Sequence, residues 1–211
     1  MWTCTFHQNV AKLVGCTFEP SFTIATKLYE LDLFTFIHHP EEPLPAILAL
    51  KLAGDIANAM TYMQEIGIVH RDLKSANVLL ESVPLNETSS MLKAVVCDFG
   101  LAKVTHSATT LENMKFKDIG GFSPRYAAPE VFANSHLLIS TDPEVDKKSD
   151  VYSFGIVLWE MATRLTPWEG LNREQIETAV RSGQRVSLSL SLSSDLVCFP
   201  HLSFFLPCCS P

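Results

Sequence analysis

The stretch HRDLKSANVLL, His70 to Leu80, gathers an imidazole, a guanidinium, a carboxylate, an ammonium group and a carboxamide just ahead of an apolar run. A segment serving only a core would carry apolar or neutral residues there, so Asp72, Lys74 and Asn77 are read as a site. A further carboxylate follows AVVC, Ala94 to Cys97, in the form of Asp98. If NVLL (Asn77 to Leu80) and AVVC pair as antiparallel strands, Asn77 enters one strand where Asp98 leaves the other. A carboxamide oxygen and a carboxylate then converge at one end of the hairpin. Such donors suit Mg2+, which takes one or two carboxylates and fills its octahedron with water and substrate phosphate. A nucleotide polyphosphate would complete the shell. Asp72, on the loop before Asn77, could accept a hydroxyl proton or orient that hydroxyl for in-line attack on phosphorus. Lys74 could neutralise charge on the transferred phosphoryl group. Any one of these is an ordinary loop residue taken alone; the set carries the reading.

Positioning them requires strands and a packed helical body. Ala11 to Thr17 and the β-branched run Phe22 to Leu28 suggest two strands around a Glu19-Pro20 turn. Between Leu44 and Ile66, the residues Leu48, Leu52, Ile56, Met60 and Met63 share one helical face, with Pro45 suited to the first turn and Gly67 just past the end. The polar stretch ESVPLNETSSMLK between NVLL and AVVC is read as a surface loop. From Ser149 to Thr163, Val151, Phe154, Leu158 and Met161 predict a second helix capped by Ser149 and ended before Thr166-Pro167. Near Val186 the composition changes to SLSLSLSSDLVCFPHLSFFLPCCSP, in which Asp195 is the only charged residue. That tail is expected to be disordered. Its apolar runs, broken by Pro200, fall short of the roughly 20 residues of a membrane span, and no anchoring motif accompanies Cys208 and Cys209.

With 211 residues and 47% of them hydrophobic, the chain can build one good-sized core. A net charge of -7 leaves no broad basic face, so nucleic acid is not an expected partner. MWTCTFHQNVAKLVGC lacks the basic, apolar and small-residue sequence of a secretory signal, and the expected compartment is the cytoplasm. The six cysteines, Cys4, Cys16, Cys97, Cys198, Cys208 and Cys209, show no CxxC spacing and are expected as buried, reduced thiols. Asn86-Glu87-Thr88 fits the glycosylation sequon but lacks a secretory route to make use of it.

Three motifs in order and at matching spacing carry a family resemblance. HRDLKSAN resembles the protein-kinase catalytic loop, CDFGLA (Cys97 to Ala102) its metal-binding motif and YAAPE (Tyr126 to Glu130) the end of its activation segment. SDVYSFGIVLWEMATRLTPWEG (Ser149 to Gly170) resembles the large core helix of the kinase C-lobe. The likeness runs from about Phe6 to Val186, and HQNVAKLVGC looks like the connection and strand after the regulatory helix. It implies an α+β, protein-kinase-like fold: residues 1–31 a partial N-lobe β-sheet with hinge, 32–186 a mostly helical partial C-lobe, and 187–211 the tail.

Residue by residue, the resemblance implies Asp72 as catalytic base or hydroxyl positioner, Lys74 as γ-phosphate ligand, and Asn77 and Asp98 as Mg2+ ligands. His70 and Phe99 would hold the loops by packing, and Asp150 would anchor the catalytic-loop backbone, an alternative to a carboxylate favoured by a helix start. Leu79 would lie under the adenine of ATP, Thr26 at the gatekeeper position, and Lys27, Leu28 and Tyr29 would form the hinge. Lysine two residues after Asp72, with Ser123 where serine/threonine kinases usually carry threonine, implies transfer to Ser and Thr hydroxyls of a protein substrate. The flavour of LKSANVLL and DVYSFGIVLWEM resembles the tyrosine-kinase-like group.

The likeness also has gaps. The family's glycine-rich loop and VAIK-type strand precede the equivalent of HQNV, whereas here MWTCTF stands first, and the arginine that pairs with the equivalent of Glu130 lies beyond QIETAVRSGQRV. Loss of one charge-stabilising donor typically costs on the order of a hundred- to a thousandfold in rate. A catalytically impaired pseudokinase fragment that binds a regulatory protein partner is therefore the alternative to an active kinase. Thr105, Ser107, Thr109 and Thr110 lie in the segment between Asp98 and Glu130, where a phosphate could pair with Arg71 and order the loop. Replacing all four with Ala is expected to lower phosphoryl-transfer activity; unchanged activity would remove that role.

Overall fold

The computed structural model describes residues 7–21, 23–39, 44–86, 89–99, 102–104, 122–133 and 143–187. Thr105, Ser107, Thr109, Thr110, the tail from 188 onward, and Cys4, Cys198, Cys208 and Cys209 lie outside them. Helix α2, Ala46–Glu65, organises the body. Its predicted stripe is real: Leu52 and Ile56 are fully buried and Met60 and Met63 nearly so, with Ala49 and Ala59 letting neighbours approach between them. The helix stops where Gly67 takes φ 74°, with Ile66 N–H donating to Tyr62 O and Gly67 N–H to Gln64 O.

Two hairpins and three short strands accompany that helix among the described residues. β1, Leu13–Thr17, pairs antiparallel with β2, Thr23–Thr26. β3, Leu31–Asp32, runs into the short helix α1, Leu33–His38, whose first turn is capped by the Asp32 carboxylate accepting from Thr35 N–H at 2.9 Å. β4, Ile68–Val69, leads into the charged segment, and a 3-10 turn over Ser75–Asn77 leads out of it. β5, Val78–Pro84, then pairs antiparallel with β6, Ser90–Val96, and with β3 on its other edge. β7, Lys103–Val104, pairs with β4. α2 is clamped to β6 by polar bonds as well as packing: Lys51 Nζ donates to Leu92 O at 2.6 Å, and Asp55 Oδ2 accepts from Ala94 N–H at 2.8 Å.

Three predicted boundaries move. Asn77 ends the 3-10 turn and does not begin the strand. The stretch read as a loop is mostly strand, closing only at Leu85 to Ser89, where Leu85 N–H donates to Ser89 O and Ser89 N–H to Asn86 Oδ1. Its polar composition misled because the outer half of this ribbon is solvated, so no apolar face had to appear. The second helix, α4, is Pro143–Thr163 and begins six residues before Ser149. Ser149 does not cap it; its hydroxyl donates back to Asp146 O at 2.7 Å inside the helix. Pro143 is tolerated at the first position because the missing N–H would have had no partner there. Cys16 also departs from expectation, being an exposed free thiol on β1, while Cys97 is half-buried.

The main core joins α2, α4, β5 and β6 through Leu33, Ile37, Leu73, Val78, Leu80, Val96 and Ile156, all fully buried. A smaller one joins α3, Pro129–Ala133, and α5, Arg173–Arg181, where the rings of Phe122 and Phe132 meet edge to face at 5.3 Å. Among the described residues no helix is long and apolar enough to cross a membrane. Leu52→Ala is expected to destabilise the chain by about 2–5 kcal/mol through lost burial and a residual cavity, measured by denaturant unfolding.

Candidate active site

The charged segment is held from behind by Asp150. This carboxylate, 1% exposed and in the middle of α4, accepts from His70 N–H and Arg71 N–H, each at 2.8 Å. Burial pushes the Asp150 carboxyl above its ordinary range, opposed by the two backbone bonds from His70 and Arg71. The bonds fix a backbone that would otherwise relax, since Arg71 has φ 70°, a left-handed conformation costly for a residue with a Cβ.

His70 is fully buried and braces the next turn. Its Nδ1 accepts from Asp72 N–H at 3.3 Å, which leaves Nε2 to donate to Cys97 O at 3.0 Å. That pair of bonds selects the tautomer with its proton on Nε2. The ring lies 5.5 Å from the Phe99 ring, so His70 touches both the catalytic-loop-like segment and CDFG. Burial raises the Cys97 thiol to about 12, which keeps it protonated and unreactive at neutral pH.

Asp72, Lys74, Asn77 and Ser123 form one polar cluster. Asp72 Oδ1 accepts from Ser123 N–H at 3.0 Å, and Oδ2 accepts from Lys74 Nζ at 2.9 Å and from Asn77 Nδ2 at 3.3 Å. Lys74 Nζ also donates to Ser123 Oγ at 3.0 Å, while Asn77 Nδ2 donates to Asp72 O at 2.9 Å. The two positions read from sequence as a substrate-class signature are thus physically linked, ammonium to hydroxyl. Ser123 is placed by its neighbour Phe122, which is buried in the smaller core.

The strand pairing that brings the Asn77 and Asp98 positions together is present. Cys97 N–H donates to Asn77 O at 2.9 Å, and Val78 is paired with Val96, so the two side chains leave adjacent strand ends. Asp98 is exposed at φ 61°, again a left-handed backbone at a position rich in polar groups. Because Asn77 uses its amide nitrogen on Asp72, its carboxamide oxygen is what it can offer a cation. One carboxamide oxygen and one carboxylate fit the sparse protein shell of Mg2+ bound with a polyphosphate. Among the described residues no cluster of three or more His, Cys, Asp or Glu offers an all-protein metal site.

Lys27, Leu28 and Tyr29 form the non-regular connection between β2 and β3. Leu79, half-buried on β5, is paired with Asp32 and Val95, and Glu30 N–H donates to the carbonyl of the next residue, Leu80, at 3.3 Å. The connection and the Asn77 end therefore meet the same strand. Thr26, at the end of β2, is exposed and pairs with Leu13.

Sequence reasoning missed a buried node behind the cluster. Glu160 on α4 is fully buried; its Oε1 lies 2.9 Å from His38 Nε2, and its Oε2 accepts from the Tyr126 hydroxyl at 2.9 Å. The Tyr126 oxygen is also 3.1 Å from Ser75 Oγ, and burial with the Glu160 carboxylate pushes the phenol above its ordinary range. The only signal available was a single acid between Trp159 and Met161 in the apolar second half of α4.

Asp72 with the Lys74 ammonium beside it, and Asn77 and Asp98 at neighbouring strand ends, are residue types that phosphoryl transfer uses. The chain matches the family description "protein tyrosine and serine/threonine kinase" over residues 1–199. It is 36% identical over 180 residues to serine/threonine-protein kinase CTR1 of Arabidopsis thaliana, covering 82% of this chain and 19% of that one. A probable LIM domain-containing serine/threonine-protein kinase of Dictyostelium discoideum is 35% identical over 192 residues, 90% of this chain and 26% of its own. The dual specificity protein kinase shkC of the same organism is 32% identical over 167 residues, 77% of this chain and 29% of its own. The chain belongs to the protein kinase family, and it spans less than a third of the length of each of these relatives. Asp150→Asn leaves one acceptor oxygen facing two N–H groups, and is expected to cost about 1–3 kcal/mol, measured by urea unfolding.

Proposed function

We propose that this domain transfers the γ-phosphoryl group of ATP to Ser and Thr hydroxyls of proteins. The observation that carries the reading is the bond from Lys74 Nζ to both Asp72 Oδ2 and Ser123 Oγ, at 2.9 and 3.0 Å. It joins the would-be proton acceptor to a cation and to the activation-segment end that would face a peptide. Mg2+ bound with ATP supplies charge neutralisation across the phosphates, and Asn77 and Asp98 are the residues that would hold it. Asp72 orients the incoming hydroxyl and takes its proton as the bond to phosphorus forms. Lys74 offsets negative charge at the same place, and Ser123 N–H keeps the Asp72 carboxylate aimed. Lys27, Leu28 and Tyr29 would offer backbone bonds to the base, with Leu79 beneath it. The serine/threonine-kinase names of relatives such as CTR1 support the substrate class, as does Lys74, in agreement with a tyrosine-kinase-like assignment.

The test is turnover on a Ser/Thr peptide library with Mg·ATP. Asp72→Asn is expected to lower the rate by about a hundred- to ten-thousandfold while nucleotide affinity is retained. Asp98→Ala is expected to abolish Mg·ATP-dependent thermal stabilisation. Nucleotide binding without any Asp72-dependent turnover would instead favour a binding role for the domain.

A further inference from the structure

The connection over residues 27–29 gains little position from burial: Leu28 is 92% exposed, Lys27 is exposed and Tyr29 only half-buried, and the segment is neither helix nor strand. Its place is set by polar ties. Lys27 N–H donates to Lys12 O at 3.3 Å, and the Tyr29 hydroxyl accepts from Lys12 N–H at 3.3 Å, which fastens it to β1. On the other side Glu30 N–H donates to Leu80 O at 3.3 Å, and Glu30 Oε1 accepts from Ser82 N–H at 3.0 Å.

Glu81 stands between those last two contacts on β5. Its Oε1 accepts from the Lys27 ammonium, and its Oε2 lies 3.2 Å from Lys93 Nζ, the residue paired with it on β6. The three side chains are 21%, 47% and 24% exposed for Glu81, Lys27 and Lys93. A lone exposed pair of this kind contributes little, but here one carboxylate is shared by two cations and its own backbone lies in a paired strand. The Lys27 ammonium is also 5.8 Å from the centre of the Tyr29 ring, so the same side chain draws the connection together from within. Lys27 to Glu81 is the one ion pair among the described residues that joins the connection to the β5–β6 ribbon.

We propose that Glu81 is a positioning residue for nucleotide: by holding Lys27 it fixes the backbone that meets the base relative to the strand whose mouth carries Asn77. This rests on the reading of residues 27–29 as the base-binding hinge. Glu81 touches no reacting atom, and its removal acts on affinity and leaves the chemical step alone. Lys27→Met should act through the same contact, so the two substitutions together should cost little more than either one.

The experiment uses the full chain with wild type, Glu81→Gln, Lys27→Met and the double variant. Hydrogen exchange of the amides over residues 27–30 without nucleotide reads the tie itself; binding of a fluorescent ADP with Mg2+ reads its consequence. Faster exchange together with about two- to fivefold weaker binding, non-additive in the double variant and shrinking at high salt, is the expected result. Unchanged exchange in Glu81→Gln would overturn the tie. Faster exchange with unchanged affinity would reduce Glu81 to a structural staple and overturn the positioning role, leaving the hinge reading intact. A wild-type chain that shows no nucleotide binding would overturn the hinge reading and the positioning role together.

Discussion

Every polar contact in the site depends on the carboxylate of Asp150 holding the backbone at His70 and Arg71. A loop between β4 and β5 that merely crossed the surface would have its N–H groups in water and its side chains free to wander. Here two N–H groups are instead directed inward at a buried acceptor on α4, and Arg71 is kept in a left-handed conformation it would not choose. The strain and the desolvated charge are both unfavourable locally, and they persist because α4 is itself locked into the main core through Ile156, Val157 and Met161. The order of cause runs from apolar packing, to a fixed helix, to a fixed carboxylate, to a loop with one conformation.

Given that loop, its side chains have few choices. Asp72 is surrounded by donors: one backbone N–H from Ser123, one ammonium and one carboxamide. A carboxylate so placed, its side chain only 10% exposed, stays aimed in one direction. Lys74 and Ser123 illustrate a coupling that a linear motif conceals, because the two positions are 49 residues apart yet share a bond. A residue without a hydroxyl at position 123 would leave Lys74 with Asp72 as its remaining side-chain acceptor in the cluster.

The body of the fold was legible because its signals are periodic. The α2 stripe from Leu52 to Met63 is long and one-sided, and antiparallel pairing of β5 with β6 followed from two short apolar runs. The start of α4 was misread since Ser149-Asp150 has the composition of a cap, whereas Asp150 is used sideways, by a loop distant in sequence. The outer halves of β5 and β6 escaped notice because their residues are polar, exposed or only half-buried and display no clean apolar alternation. Cys16 was expected inside on residue type alone, and type says nothing about which side of a two-stranded hairpin lacks a cover. Within the site, the motif residues were named from sequence, but the bonds among them, and Glu160 and Glu81, required coordinates: a lone acid has no period and its partners are contributed by other elements.

Glu160 shows why such residues matter to the whole. A fully buried carboxylate is tolerable only when its oxygens are satisfied, and both are, one facing His38 on α1 and the other accepting from Tyr126. Tyr126 in turn approaches Ser75 beside the charged loop, while Ser153 on α4 donates to the Tyr126 carbonyl at 2.9 Å. Four segments far apart in sequence thus meet at one charge that none of them could leave unpaired. Apolar contacts would let α1 or the YAAPE segment slide by a fraction of a side chain at small cost, whereas hydrogen bonds to a desolvated carboxylate are lost steeply with distance and angle. The apolar core therefore determines that these segments pack together, and Glu160 with Asp150 determines the register in which they do so, which is the precision the proposed phosphoryl transfer would require.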